Sequence, residues 1–290
     1  MFEPEICRSL LFVPAGNERY LSNALRGGAD VIQVDLEDAI APGQKETARH
    51  CARTFVEQIA AAGRVAAVRI NIEEPLLNQD LHAVVHPGLA ALTIPKVDTA
   101  GMLAGIDNAV TRLESERNLP PGGIRLIAQI ESARGVLNAR PIAGATPRLA
   151  AMGIGMEDLI ADIGGVVDAD ALYFPSMQTL YAAREAGITP IGYLGSIAEY
   201  RDTQRFRQWV RRAKGLGFEG GFCIHPNQVD ILNQELRPSP DQVHTAEKLV
   251  AAFKQQASQG VGAFVHDGKM VDAPVVERAQ RVLRRHAILA

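Results

Sequence analysis

Cysteine is scarce in this chain of 290 residues, with only Cys7, Cys51 and Cys223. An odd number without Cys-x-x-Cys spacing excludes a disulfide framework and a cysteine zinc site. It suits reduced thiols in a reducing compartment. No run of about 18 apolar residues occurs, so no membrane-spanning helix is expected. Met1–Arg8 holds no cationic segment leading into a long apolar run. No signal peptide is therefore expected, and the expected location is cytoplasmic. An excess of one charge is lacking as well: 30 Lys and Arg face 33 Asp and Glu, for a formal net charge of −3. The bases are scattered, apart from Arg205, Arg207, Arg211, Arg212 and Lys214, whose helical spacing describes a solvated face. No nucleic-acid partner is expected. Internal repeats and low-complexity segments are absent, which removes solenoids and long linkers.

What the chain has is apolar material, 47% of its residues, cut into short runs. Eight of these runs are Ser9–Val13, Val31–Leu36, Val65–Ile70, Leu89–Ile94, Arg125–Ile130, Leu149–Ile154, Thr189–Tyr193 and Gly221–Ile224. Segments with helical spacing lie between them. Eight alternations of strand and helix predict an α/β chain folded as a (β/α)8 TIM barrel, whose strand ends carry the active site. Asn17 is placed to cap a helix that stops at Gly27–Gly28, and Pro42 to open one that ends at Gly63. Asp98 is expected to cap the helix carrying Met102, Ile106, Val110 and Leu113, and Asp202 or Thr203 the one carrying Phe206 and Val210. The alternation stops near Arg237. Residues 1–236 are expected to form the catalytic barrel and 237–290 a C-terminal arm. In the arm, Arg237-Pro238-Ser239-Pro240 reads as a rigid connector and Asp241 as the cap of a helix to Gly260. Two apolar stretches around Asp267-Gly268 form a hairpin, and Pro274 opens a last helix. Such an arm suits the mouth of its own barrel or a neighbour's.

Residues just past the strands carry the chemistry. Alternation puts Gln33, Asp35 and Glu37 on one face, Arg69 and Asn71 on one face, and Gln129 and Glu131 on one face. Polar residues late in three strands, pointing away from the helices, converge at the top of a barrel lumen. Buried charges there need each other, a metal or a substrate. Glu131 and Asp158 follow consecutive strands and make an oxygen-ligand pair suited to Mg²⁺, with no Cys or His set nearby to favour zinc. A structural role for Glu131, such as pairing with Arg134, is the alternative. Gly153-Ile154-Gly155-Met156-Glu157-Asp158 joins a Gly-rich strand end to a helix start, where free N–H groups suit a carboxylate or simply a tight turn. Arg69 suits a carboxylate or a developing oxyanion, and equally an ion pair with Asp35 or Glu37. Lys96 either reaches a substrate phosphate, forms a Schiff base or keeps its ammonium in water. His225 is a candidate base or a structural hydrogen-bonding group.

These residues also resemble a known family. The segments Arg8–Pro14, Asp35–Ala39, Val68–Asn71, Ile94–Lys96, Ile130–Asn138, Glu157–Leu159, Ile224–Pro226 and Asp267–Pro274 are similar, in order and spacing, to the citrate lyase β-subunit and malyl-CoA lyase family. The resemblance implies a Mg²⁺-dependent barrel that cleaves a 3-hydroxy acyl-CoA by retro-Claisen chemistry, with CoA as part of the substrate. It implies that Glu131 and Asp158 hold the metal, and that Arg69 contacts the carbonyl or alkoxide oxygen of the keto-acid portion. The backbone of Gly155, Met156 and Glu157 would bind its carboxylate. Asp272 on the arm would act from an adjacent subunit of a trimer or hexamer. The products implied are acetyl-CoA and pyruvate, glyoxylate or oxaloacetate.

Three segments depart from the family's pattern: Met156 stands where alanine is common, Gly192–Tyr200 replaces an Asp-rich stretch, and Phe174–Met177 replaces a Tyr-Ala-Arg pattern. They are expected to shape the pocket, so the resemblance fixes the metal chemistry and not the keto acid. The reading is a stand-alone lyase of the citramalyl-CoA or malyl-CoA type. Its alternatives are the β subunit of a citrate lyase complex with partner subunits, a barrel that binds CoA esters without catalysis, and a thioesterase.

Overall fold

The computed structural model describes residues 2–289. The chain divides into two compact units between Gln234 and Glu235. In the first unit eight parallel strands run β1 (Ser9–Pro14), β2 (Val31–Asp35), β3 (Val65–Arg69), β4 (Leu89–Ile94), β5 (Arg125–Ile130), β6 (Leu149–Ile154), β7 (Thr189–Ile191) and β8 (Gly221–Cys223). From β1 to β7 each strand pairs with the next, and β8 returns to β1 through Ser9–Gly221, Leu10–Phe222 and Leu11–Cys223. A bridge between Ile191 and Gly220 brings β7 to β8 and closes the barrel. This is the α/β barrel that the alternating runs predict.

The helices of this unit are α1 (Glu18–Arg26), α2 (Lys45–Ala61), α3 (Leu76–Val84), α4 (Ala100–Glu116), α5 (Ala133–Leu137), α6 (Ala139–Ala143), α7 (Met156–Ile163), α8 (Ala169–Glu185), α9 (Thr203–Leu216) and α10 (Pro226–Glu235). Their apolar stripes face the strands. On α2, Ala48, Ala52, Phe55, Val56 and Ile59 are buried, each large one contributing roughly 1.5–3 kcal/mol. Asn17 caps α1 by accepting from Tyr20 N–H, and Asp202 caps α9 by accepting from Arg205 N–H. The cap of α4 is Thr99, which accepts from Met102 N–H; Asp98 instead accepts from the Ser132 hydroxyl at 2.5 Å. Thr99 holds the extended backbone that a cap requires (φ −144°, ψ 154°).

Along the lumen, polarity rises with height. One apolar layer takes a residue from every strand: Leu10, Val31, Ala67, Ala91, Ile127, Ala151, Ile191 and Phe222. Two residues further along, Thr93 donates to Gln33 Oε1 at 2.5 Å. At the strand ends come Asp35, Arg69, Gln129 and Glu131, all buried. The period of two therefore delivers these groups to one end of the barrel.

The second unit holds α11 (Pro240–Ala257), β9 (Phe264–His266), β10 (Lys269–Val271) and α12 (Ala273–Ile288). Ser239, not Asp241, caps α11: it accepts from Gln242 N–H while the Gln242 side chain accepts from Ser239 N–H, a reciprocal pair. The Ser239-Pro240 half of the supposed connector is thus the start of a helix. Asp267 and Gly268, at φ 49° and 74°, turn the antiparallel hairpin β9–β10. Phe264 on β9 lies 6.4 Å from the Phe253 ring on α11. Among the described residues, no helix is long and apolar enough to cross a membrane.

Candidate active site

A cavity of about 720 Å³ opens at the strand ends of the barrel. Phe12, Asp35, Arg69, Gln129, Glu131, Ile154 and the run Gly155–Asp158 form its inner wall; Ile197, Tyr200, Phe222, Ile224 and His225 form much of the rest. The structure therefore brings together Arg69, Glu131, Gly155, Met156, Glu157 and Asp158, which the sequence singles out at three separate strand ends of the barrel.

Arg69 is buried, and its guanidinium grips Asp35 with two bonds, Nε to Oδ1 at 2.8 Å and Nη2 to Oδ2 at 2.7 Å. Its Nη1 lies 3.0 Å from Glu37 and 3.5 Å from Asp38, and its plane sits 4.6 Å over the Phe12 ring. Burial works against its charge, but the Asp35 hydrogen bonds outweigh this and hold its pKa above the ordinary range. The ion-pair alternative for Arg69 is thus realised. Five N–H donors on one guanidinium leave some for a ligand as well. Lys96 donates to Glu37 at 2.5 Å and lies 3.6 Å from Asp38. Burial is again outweighed by Glu37, so Lys96 stays a cation. A Schiff-base role, which needs a free amine, does not fit. Asn71 turns away from the cavity. It donates to Leu36 O and Asp80, and accepts from Lys45, whose Nζ also binds Leu36 O and Glu37 O.

Glu131 is 3% exposed, and its Oε2 has no hydrogen-bond partner among the described residues. Its carboxylate lies flat against Gly155, where a Cβ would meet Glu131 Oε1 at 2.4 Å and Cγ at 2.5 Å. Burial first, then the charges of Asp158 and Glu37, push its pKa up to about 8. Such a group calls for a cation. Asp158 faces the same cavity from the first turn of α7. Among the described residues there is no cluster of three or more His, Cys, Asp or Glu that would hold a metal by themselves. A cation held by Glu131 and Asp158 must complete its shell with water and substrate oxygens, which suits a hard ion. The orphaned Oε2 and the glycine cradle beside it fit that ion.

No side chain caps α7 at Gly155. The N–H groups of its first turn are left for an anion, helped by the helix dipole. Glu157 on the rim accepts from the Ser196 hydroxyl in the loop after β7. Gln228 is fully buried and clamps that loop to the β8 end: it donates to Ile197 O at 2.8 Å and accepts from the N–H groups of Ile224 and His225. His225 stacks on Tyr200, ring centroids 5.1 Å apart, and its Nδ1 accepts from Asn227 N–H at 3.2 Å.

Phe12 and Gln228 escape a reading of the sequence, because neither has a spacing that marks it; Ile197 and Tyr200 fall in Gly192–Tyr200, which is expected to shape the pocket and does line it. Phe174–Met177, expected to shape the pocket, lies inside α8 and is not part of the cavity lining. Asp272 stands in the second unit as the cap of α12, with Oδ1 accepting from Val275 N–H at 3.3 Å.

A barrel whose strand ends gather paired carboxylates, an arginine and an uncapped helix start has the build of an enzyme acting on small oxygen-rich acids. The chain belongs to the HpcH/HpaI aldolase/citrate lyase family, which it matches over residues 8–226. It is 32% identical over 280 residues to the citrate lyase subunit beta of Leuconostoc mesenteroides subsp. cremoris, covering 96% of this chain and 92% of that one. It is 34% identical over 289 residues to a (3S)-malyl-CoA thioesterase of Cereibacter sphaeroides, covering 98% and 95%. Among solved structures it is similar to protein CitE from Mycobacterium tuberculosis in complex with magnesium, acetoacetate and coenzyme A. That similarity has a TM-score of 0.75 and 29% identity over 96% of this chain and 97% of the other.

Proposed function

We propose that this protein is a Mg²⁺-dependent carbon–carbon lyase that cleaves a 3-hydroxy acyl-CoA of the citramalyl-CoA or malyl-CoA type to acetyl-CoA and a 2-keto acid. The observation that carries this reading is the buried, unpartnered Glu131 carboxylate beside Gly155, with Asp158 facing it and the open start of α7 next to both. Magnesium and coenzyme A in the related CitE structure support the same assignment.

In this reading Glu131 and Asp158 hold Mg²⁺, which when bound stabilises negative charge on the keto-acid side of the substrate. The N–H groups at Gly155, Met156 and Glu157 seat the substrate carboxylate. Arg69, held in place by Asp35, aims its remaining N–H donors at the oxygen that turns from hydroxyl to carbonyl. The hydroxyl proton must pass to a base; as the C–C bond breaks, its electron pair passes to the thioester enolate, and an acid must return a proton to that carbon. Asp272 is the candidate acid, supplied by the arm of a second copy in a homo-oligomer. The second hollow, about 550 Å³ around Asn17, Gln44 and Cys51, shares Pro14 and Ala39 with the first. It offers the long thiol carrier of CoA a way out.

The test is a product assay on malyl-CoA and citramalyl-CoA with Mg²⁺, with and without excess chelator. Keto acid and acetyl-CoA should appear only with metal, and Glu131→Gln should form neither. Full cleavage in chelator would overturn the reading. The thioesterase relative supports a second reading, hydrolysis, which the same assay reports as free 3-hydroxy diacid and CoA. Turnover only with an acyl carrier protein and partner subunits would point to a citrate lyase β subunit instead.

A further inference from the structure

We infer that Gln228 is a positioning residue for the substrate cavity: its side-chain amide holds the wall of Ile197 and Tyr200 against the strand ends, where the barrel's own ladder has run out. Its effect on turnover, weaker substrate binding with the bond-breaking step intact, rests on the lyase reading; its hold on the wall does not.

β7 meets β8 at the bridge between Ile191 and Gly220. Past that bridge the two strands part, and the backbone groups that leave each of them need other partners. Gln228 supplies three. Its Oε1 accepts from Ile224 N–H at 3.0 Å and from His225 N–H at 3.1 Å, on the β8 side. Its Nε2 donates to Ile197 O at 2.8 Å, on the β7 side. One amide thus performs, across the seam, the accepting and donating that a longer ladder would. Two N–H groups at one end and a carbonyl at the other fix which way the amide points. The side chain is wholly buried, so water is not at hand to take its place.

Half of this is ordinary helix capping. Pro226 opens α10, so Gln228 is the third residue of that helix. A glutamine there commonly reaches back to the N–H just before the helix, and a glutamate does so equally well. Capping accounts for the Oε1 bonds. It does not account for the Nε2 bond, because a cap at this end of a helix needs only an acceptor, and an ionised glutamate has no proton to donate. What Nε2 holds is the loop after β7.

The start of that loop is fixed without Gln228. Tyr193 donates to Phe222 O at 2.9 Å, and Gly195 lies so close to the Trp209 indole that a Cβ on it would collide with the ring. From Ser196 onward the ties are of a different kind. Ser196 donates to Glu157 at the exposed rim. Tyr200 stacks on His225, whose own N–H is held by Gln228. The Ile197 bond reaches a buried partner, where a hydrogen bond is stronger than in water and a bared carbonyl is costly. Without Nε2, Ile197 and Tyr200 lose their fixed place on the cavity wall. Arg69, Glu131 and Asp158 stand at the ends of β3, β5 and β6 and keep theirs. Trp209, the single tryptophan of the chain, sits against the loop and reports on it.

The experiment compares Gln228→Glu, which keeps the acceptor for α10 but when ionised cannot donate to Ile197, with Gln228→Met, neutral and of similar length, which does neither. The second variant covers the case in which a buried carboxylate prevents folding. Amide exchange of residues 196–200 and 225–229, and acrylamide quenching of Trp209, are read on the full chain with Mg²⁺. In Gln228→Glu, exchange at 196–200 should rise by about tenfold or more and Trp209 should quench more readily, while 225–229 keeps its wild-type protection. In Gln228→Met both segments should exchange faster. On malyl-CoA or citramalyl-CoA, Gln228→Glu should raise KM by about tenfold or more with kcat within about threefold of wild type. Wild-type exchange at 196–200 in a folded variant would reduce Gln228 to a helix cap and overturn the inference. A loosened loop with unchanged KM, or with kcat lost instead, would overturn its bearing on substrate binding. If the wild type cleaves neither thioester, the lyase reading fails on its own, and exchange and quenching still decide the hold on the wall.

Discussion

Replacing Glu131 with glutamine should stabilise the metal-free protein while abolishing its activity. An ordinary glutamate titrates near 4.5, whereas in the folded chain Glu131 is pushed to about 8 by burial, Asp158 and Glu37. Below pH 4.5 the group is protonated both folded and unfolded, and its contribution to stability is fully kept. As pH rises the unfolded chain ionises first, so stability falls by about 1.4 kcal/mol per pH unit until the folded group also ionises near pH 8. The penalty then levels off on the order of 4–5 kcal/mol.

Glutamine carries no charge at any pH and avoids the penalty, so Glu131→Gln should be the more stable protein at pH 8–9 and no more stable near pH 5. Chemical denaturation in excess chelator at pH 5, 7 and 9 measures this. Adding Mg²⁺ reverses the order: the wild type should gain stability, more at high pH where metal and proton compete less, and the variant should gain little. A wild type whose metal-free stability is flat from pH 6 to 9, or a variant no more stable than it at pH 9, would refute the reasoning.

Gly155→Ala drives a methyl group into the Glu131 carboxylate, with 2.4 Å to Oε1. It should cost about 1–3 kcal/mol in stability and remove the Mg²⁺-dependent rise in thermal midpoint. Arg69→Lys loses the two-pronged grip on Asp35 and should lower kcat by about 10²–10³; a changed KM with normal kcat would mean that Arg69 only binds. Arg69→Ala leaves Asp35 buried and unpaired and should also destabilise the fold by about 3–5 kcal/mol, so its activity must be read against a denaturation curve. Asp272→Asn and Glu131→Gln should each be nearly inactive. Mixing them after reversible dissociation should restore part of the activity if Asp272 serves a second copy. Failure despite demonstrated subunit exchange would assign it to its own barrel.

The barrel was legible because its strands are buried on both faces and read as unbroken apolar runs. The limits of β4, β5 and β6 match those runs residue for residue. Alternation correctly sent Asp35, Arg69, Gln129 and Glu131 to one end of the lumen. It failed at Asn71 because that residue follows the last paired position of β3, where the pleat no longer dictates direction; Asp80 and Lys45 capture it instead. Helix starts were less legible. Asp98 and Asp241 are good capping residues, yet Thr99 and Ser239 took the role, since one position either way is decided by backbone angles that no single residue announces. Short helices such as α5 and α6, five residues each, carry too little periodicity to see. The wall of Ile197, Tyr200 and His225 was legible only in part: Gly192–Tyr200 and His225 stand out in the sequence, but the Gln228 side chain that holds them together is a tertiary clamp with no sequence spacing.

The barrel's closure bears on how such an enzyme changes its diet. β7 and β8 are three residues each, and their seam is stitched by Gly192 N–H to Gly220 O at 2.8 Å and Glu219 N–H to Pro190 O at 3.0 Å, where β1 and β2 share five register pairs. The loop that carries Ile197 and Tyr200 leaves from this lightly sewn edge, while Glu131 and Arg69 sit on the fully laddered side. Chemistry and choice of substrate are thereby mounted on parts of different rigidity. Amide exchange should begin at Gly192 and Gly220 and come last at β3 and β5. Insertions or replacements between Gly192 and Tyr200 can then retune which acid is accepted while the groups that break the bond keep their places.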